Sequence, residues 1–531
     1  MKKYKYIAGL LLAGSISFSA CTDNFEEQNS AQIAFTDDLQ KTDFNKYFAP
    51  FDIIQQGIFY NYDNGGGKNW PWQIIQNLGA DMFSGYMHDF NGKFNANNST
   101  YNLNDGWTST AWTYTYDFIM PQVATAERLT KGEMPAFYGI AKILKVELMH
   151  RIADQYGPIV YSDFGKENPN PESLKEVYAL FFNDLEEAIT LIKDVLSKDP
   201  AKDASFNDGD IITPNGTLTD WLKFANSLRL RLAMRISNVD ATLARTQAEK
   251  SLKDPTMLLA EVTDLIAVKG TNGYTNPLGE VSNAWAEVFM NANMESYMVG
   301  FNDPRVSIYF DNAIEKDYEK AYKGIPQGTG VSNDKYKTYS RTTVIKTTTP
   351  AVLMNAAEVW FLRAEAALRG YSTSDNAKAC YEKGIEISFT QWGAGSTANY
   401  LISESKPIAY VDAFDPQFNK AAQSTATVKW DDSISPEQKL EKIAIQKWIA
   451  LFPDGVEGWS EQRRTGYPKL FPVTVNNSAG KIDTKIGIRR LWFPQTFISA
   501  DATLYNKLVS SLGGVDNGGT RLWWDTGNNK F

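Results

Sequence analysis

Apolar residues recur at three- and four-residue spacing along much of this chain, the period of amphipathic helices rather than of strands. Between 135 and 157 the series is Phe137, Ile140, Ala141, Leu144, Leu148 and Ile152, and "YGP" then supplies a glycine C-cap and a proline stop. A second helix is predicted to begin at Ser173, with Glu176 in capping-box spacing, and to run through Val177, Tyr178, Phe181, Leu185, Ala188, Ile189 and Ile192. A third covers about 218 to 236, with Trp221, Leu222, Ala225, Leu228, Leu232 and Ile236 on one side. It also carries Arg229, Arg231 and Arg235, expected to form a solvated or acid-paired face.

Residues 359–388 read as two helices joined by a polar turn at Gly370, with Ala364, Ala366, Ala367, Ala377 and Ala379 permitting close packing. Residues 438–464 read as another pair, broken at Pro453. Such pairs resemble tetratricopeptide units, which cannot bury a face alone and so stack into a scaffold. The predicted fold class is therefore mainly α: a tetratricopeptide-like helix-pair scaffold with long aromatic-rich insertions and few short strands. Those insertions, at 57–112, 265–300 and 395–435, are too long to be mere connections and become the candidates for function.

The N-terminus has a different pattern. Lys2, Lys3 and Lys5 precede an apolar run from Ile7 to Phe18, too short to span a bilayer of about 30 Å, and Ser19-Ala20-Cys21 follows. Small residues before a cysteine resemble a lipoprotein signal with Cys21 as the lipidated residue, which makes 1–20 a signal peptide and 21–40 an acidic flexible tether. Two or three acyl chains anchor stably where one does not. No other stretch is apolar and long enough to cross a membrane. The formal charge of −9 argues against nucleic acid as a partner. With Cys21 lipidated, Cys380 has no intrachain partner for a disulfide, and two histidines, His88 and His150, leave little room for histidine-based metal sites or triads. No metal and no cofactor is expected; the oxygen-rich "FNDGD" at 206–210 is a polar turn of a kind usually metal-free.

Six segments carry a more specific signal: "MHRIADQYGPIVYSDFG" (149–165), "NDPRVSIYF" (302–310), "LRAEAALRG" (362–370), "QKWIALFPDGVEGWSEQRRTGYPKLFP" (446–472), "RRLWFPQ" (489–495) and "WWD" (523–525). In this order, after a lipidation signal, they resemble the SusD/RagB family of Bacteroidetes outer-membrane lipoproteins. The resemblance implies that residues 41–531 form a helical, glycan-binding domain. It also implies that the acidic tether directs the lipoprotein to the cell exterior, where it sits as a lid on a SusC-like TonB-dependent transporter. Most of the motif residues read as structural: Asp303 and Arg305 as an ion-pair corner, Trp448, Trp459, Arg463, Arg464 and Tyr467 as packing, Trp523 and Trp524 as a C-terminal plug.

A sugar offers an apolar C–H face and a rim of hydroxyls, so a site for it needs flat rings beside short amides or carboxylates. Residues 61–107 and 270–300 have that makeup. The candidate contacts are Trp70, Tyr86, Phe94, Tyr101, Tyr274, Asn276, Trp285 and Asn291, on two loops expected to converge on one surface. Trp72, Trp107, Trp112 and Tyr116 are expected in the core, and His88 is either a donor to a hydroxyl or a satisfied loop residue. No catalytic residue is assigned, since "HExxH", "GxSxG", a P-loop and a dinucleotide fingerprint are all missing. A lid for peptides or another nutrient, and a helical glycoside hydrolase working with two carboxylates, remain alternatives.

Overall fold

The computed structural model describes residues 45–60, 69–89, 94–269, 274–314, 318, 320–330, 334–372 and 376–531. The signal peptide, Cys21 and the tether lie outside the described residues. Residues 1–49 form one unit, of which 45–49 are described and are helical; residues 50–531 form the other.

The scaffold of the second unit is built from four consecutive helix pairs. They are α1 (Pro135–Tyr156) with α2 (Leu174–Lys198), α3 (Leu218–Arg235) with α4 (Ala241–Leu252), α5 (Ala356–Leu368) with α6 (Ala377–Trp392), and α7 (Pro436–Leu451) with α8 (Gly455–Thr465). Neighbouring pairs join through α2 on α3, α3 on α5 and α5 on α7, while α8 returns onto α1. The predicted capping box is present: Ser173 and Glu176 satisfy each other's backbone N–H groups. Ser435 and Gln438 do the same at α7, and Thr217, Asp240, Asn355, Asn376 and Asp454 cap α3, α4, α5, α6 and α8. Each such cap is worth about 1 kcal/mol. The stripe from Val177 to Ile192 is buried as predicted. Strand is confined to two small antiparallel ladders among the described residues. In one, β1 (Met87–His88) pairs with β3 (Phe289–Met290); in the other, β2 (Ile266–Val268) pairs with β4 (Ala351–Met354).

Helices α1 and α3 are buried on nearly every side, so their charges are buried with them. Arg229, Arg231 and Arg235 are acid-paired, as expected, but not solvated. Arg231 donates from Nε and Nη2 to both oxygens of Glu358 at 2.7 Å, and from Nη2 to the Leu353 carbonyl at 2.9 Å. Arg151 bridges Glu147 and Asp454, each at 2.8 Å, and Arg235 meets Glu457 at 2.6 Å. On the far side, Arg464 holds Glu365 at 2.6 and 2.7 Å, and Lys447 meets Glu461 at 3.1 Å. Burial alone would raise the Glu147 pKa, but Arg151, His150 and Arg231 outweigh it and hold that carboxyl at about 2. Compared with apolar residues of the same volume, such pairs add little net stability. Each is nevertheless costly to break singly, because the surviving charge cannot reach water. The network thus fixes how α1, α3, α5, α7 and α8 register against one another.

The motif segments play the structural parts expected of them. Arg305 pairs with Asp303 at 2.6 Å and reaches Ser388 and Gln446. The buried Trp524 donates to Asp154 at 2.9 Å, closing the C-terminus onto α1, while Trp523 is half-buried against Tyr178. Arg463 stacks 3.6 Å from the Trp459 ring centre and donates to the Arg489 carbonyl at 2.7 Å.

Candidate ligand-binding surface

The two insertions do converge. In the first, a helical turn, Asn69–Trp72, leads into a π-helical segment, Gln73–Ala80, whose widened hydrogen-bond ladder is a local departure of the kind often found at functional sites. The turn and the segment pack against the short helix Pro277–Asn283 of the second insertion, and the β1–β3 ladder ties the far ends together. A buried hydrogen bond from Gln73 to Glu287 joins the same two stretches.

At this junction two tryptophans face solvent. Trp70 is 50% exposed and Trp285 is 37% exposed, although rings of this size are normally hidden. Local structure explains both. Trp72, two residues on, is buried and stacks on Phe59 at 6.3 Å, so the turn hides one indole and displays the other. Trp285 ends the helix Pro277–Asn283: its N–H closes on the Glu280 carbonyl at 3.1 Å, and Ala286 then takes φ 57°, turning the chain inward to Glu287. The exposed Asn283 beside it donates to the Gly279 and Ile345 carbonyls and accepts from Lys346 at 3.2 Å.

Five of the eight predicted contacts are buried, Tyr101 among them, which corrects the expectation that their polar, glycine- and asparagine-rich surroundings keep them on the surface. Tyr86 is fully buried between Trp448 and Phe452, its hydroxyl donating to the Trp448 carbonyl; a Cβ on Gly458 would sit 2.7 Å from that hydroxyl, so α8 accepts the ring only because that residue is glycine. Asn276 caps the helix Pro277–Asn283 and reaches the Thr349 carbonyl at 3.0 Å. Asn291 caps Ala292–Met294 and donates to the Met87 carbonyl. Tyr274 is buried close to Tyr114, and that burial pushes its hydroxyl pKa well up. These asparagines serve backbone that leaves regular structure, a role that composition does not separate from sugar binding. Phe94 is half-buried, edge-on to Trp107 at 5.8 Å. His88 lies fully buried in β1 with Nδ1 against the Asp89 carbonyl, so it is a residue of the interior rather than the donor to ligand. Trp112 is in the core, stacked on Tyr116 at 4.7 Å, as predicted, whereas Trp107 and Tyr116 are only half-buried.

The eighth, Tyr101, lies apart from the tryptophans, in the wall of a cleft of about 340 Å³ formed with residues 462–489. Its ring is largely buried, and its hydroxyl lies where a Cβ on Gly487 would come within 3.3 Å. The cleft also holds Gln327, Gln423 and Gln462, and the cations Arg463, Lys469, Lys485, Arg489 and Arg521. Burial pulls the Arg463 pKa down to about 9, which leaves it cationic at neutral pH. Sequence reasoning did not find this cleft, because its cations are scattered over 59 positions, from 463 to 521, with no local cluster to betray them.

Among the described residues no group of histidine, cysteine, aspartate and glutamate side chains is arranged to hold a metal, and no helix is long and apolar enough to cross a membrane. In the "FNDGD" turn the Asp210 carboxylate is occupied by Ile212 and Thr213 N–H groups, the Thr213 hydroxyl and the Trp221 indole.

A family model described as SusD-like, SusD and RagB outer membrane lipoprotein, matches residues 27–525. Among solved structures, a SusD homologue from Bacteroides vulgatus is 48% identical, over 92% of this chain and 100% of that one, with a TM-score of 0.89. A chitin-binding SusD homologue from Flavobacterium johnsoniae is 39% identical, over 91% and 99%, with a TM-score of 0.85. No curated protein matches.

Proposed function

Since this chain belongs to the SusD-like family of outer-membrane lipoproteins, we propose that it captures an oligo- or polysaccharide at the cell surface and passes it, chemically unchanged, to a SusC-like TonB-dependent transporter. The observation that carries the reading is the pair of exposed tryptophans on adjoining elements, Trp70 and Trp285. Flat indoles cover the C–H faces of sugar rings. The chitin-binding relative supports a glycan as the ligand. Lipid on Cys21 anchors the protein, residues 21–40 tether it, and residues 41–531 bind. Contacts this open retain much of their water, so affinity falls in the micromolar to millimolar range, about −8 to −4 kcal/mol.

The test is retention on affinity gels cast with a panel of polysaccharides, chitin derivatives first, together with an assay for new reducing ends. Retention without new reducing ends is expected. Reducing ends that a single Asp or Glu substitution abolishes would make the protein a hydrolase, and retention unaltered by W70A and W285A would remove the platform.

A further inference from the structure

The Tyr101 cleft differs in charge from the rest of the molecule. In a chain of formal charge −9, among the described residues five cationic side chains line it and no carboxylate does. One acid offsets part of this charge, and another is spent on its own turn. Asp525 is shared by Arg489 and Arg521, both at 2.6 Å, and Asp483 accepts from the Lys485 and Ile486 N–H groups, shaping its own turn. Arg463 is buried on carbonyls, a hydroxyl and indole faces alone. At the rim, Lys469 and Lys485 are exposed, and among the described residues neither meets a carboxylate. A concave surface with this unspent positive charge focuses field toward an anion.

The opposite wall is strained. Within seven residues, Asn95, Ala96, Asn98 and Tyr101 all take positive φ, between 54° and 60°. Backbone in this region is costly for residues other than glycine and persists only where surrounding contacts impose it. Here Asn98 donates to the Leu78 carbonyl at 2.7 Å, Thr100 to the Ala96 carbonyl at 2.8 Å, and the Asn477 N–H to the Thr100 carbonyl at 2.7 Å. The outcome of that constraint is the placing of Tyr101 in the cleft wall.

We propose that this cleft is a second binding site, for a saccharide bearing an anionic substituent, either a uronate carboxylate or a sulfate ester. Lys469, Lys485 and Arg521 meet the anion, and Gln327, Gln423 and Gln462 pair with hydroxyls around it. Each amide offers the donor and the acceptor that vicinal hydroxyls require. The inference does not rest on the tryptophan platform and survives its failure.

The experiment is calorimetric titration of the full chain in detergent with a galacturonate tetrasaccharide, the same sugar after carboxyl reduction, a sulfated disaccharide and hexaglutamate. The anionic sugar is expected to bind at least tenfold more tightly than the carboxyl-reduced form. K469Q/K485Q and, separately, R521Q are expected to weaken it at least tenfold and fivefold, while W70A leaves it unaltered. Binding of the sulfated sugar alone would assign the anion as sulfate. Equal affinity for reduced and native sugar, no binding of either anionic sugar, indifference to both sets of substitutions, or hexaglutamate binding as tightly as the sugars would each overturn the proposal.

Discussion

Truncating Trp70 tests the platform in numbers. The ring presents 50% of its surface, which for a side chain of about 250 Å² leaves about 125 Å² for a ligand to cover. At about 25 cal/mol per Å² that area is worth about 3 kcal/mol if wholly hidden, and a sugar lying on one face hides about half of it. W70A should therefore cost about 1.5 kcal/mol of binding, roughly tenfold in Kd. Trp285, 37% exposed, should by the same reasoning cost about 1 kcal/mol, roughly fivefold. If one chain spans both rings the losses add, to roughly 70-fold in the double variant. The hidden half of Trp70 also packs, and losing it removes up to about 3 kcal/mol of stability. In a unit of this size the unfolding entropy is about 1 kcal/mol per degree, so Tm should fall by only about 3 °C. Calorimetric titration with a chitin-derived oligosaccharide and scanning calorimetry read the two effects separately. A Kd changed less than twofold in both single variants would refute the platform, and a double variant no weaker than W70A would mean the ligand never reaches Trp285.

The buried network makes its own predictions. R231M leaves Glu358 buried without its bidentate partner, and should cost about 3 to 5 kcal/mol, whereas R231M/E358L should regain most of it. Urea unfolding followed by tryptophan fluorescence measures both; a double variant no better than the single would mean the pair itself is strongly stabilising. His150 should respond to pH. Burial disfavours its charged form, but Glu147 at 3.2 Å and Asp154 at 3.5 Å outweigh that and raise its pKa above 6.5, with Arg151 and Arg235 pairing with the same acids. Its stabilising contribution is therefore complete below pH 6.5 and lost as pH rises through the folded value. H150N should flatten that alkaline slope, and an unaltered slope would contradict the assignment. Glu147 acts with the opposite sign: its contribution is present above pH 4.5 and disappears as pH falls toward about 2.

Helix positions were legible because burial on one face writes a period into the sequence, and caps such as Ser173 write its origin. The pairing of α5 with α6 follows from the polar turn at Gly370 and from small residues such as Ala364 and Ala377. Charge misled in one respect. Arg231 and Arg235 read as a solvated or acid-paired face and are acid-paired but buried, because their partners lie 127 and 222 positions away and nothing local shows that Glu358 and Glu457 will meet them in the interior. Aromatic loops misled similarly: Tyr86 and Trp70 sit in comparable polar company, and only the long-range contact of Tyr86 with Trp448 and Gly458 separates a core ring from a displayed one. Trp72 was recognised as buried because an apolar run follows it, which is a local signal.

The two surfaces should part company in salt. Indoles on C–H faces gain from excluded water and dispersion, which ionic strength scarcely touches. The lysines and arginine of the cleft act through field, whose reach shrinks from about 10 Å at 0.1 M salt to about 3 Å at 1 M. A neutral glycan held by Trp70 and Trp285 should therefore be retained equally at both concentrations, while an anionic sugar held by Lys469, Lys485 and Arg521 should be released. Were the neutral glycan to wash off with salt, its retention would depend on charge, and the tryptophans would be shelving over a site that lies elsewhere. Were the anionic sugar to stay, hydroxyl pairing by the three glutamines would be holding it and the positive lining would be incidental. Binding of both sugars that W70A abolishes would merge the two surfaces into one, a result neither burial nor charge anticipates, since Trp70 is not among the residues that line the Tyr101 cleft.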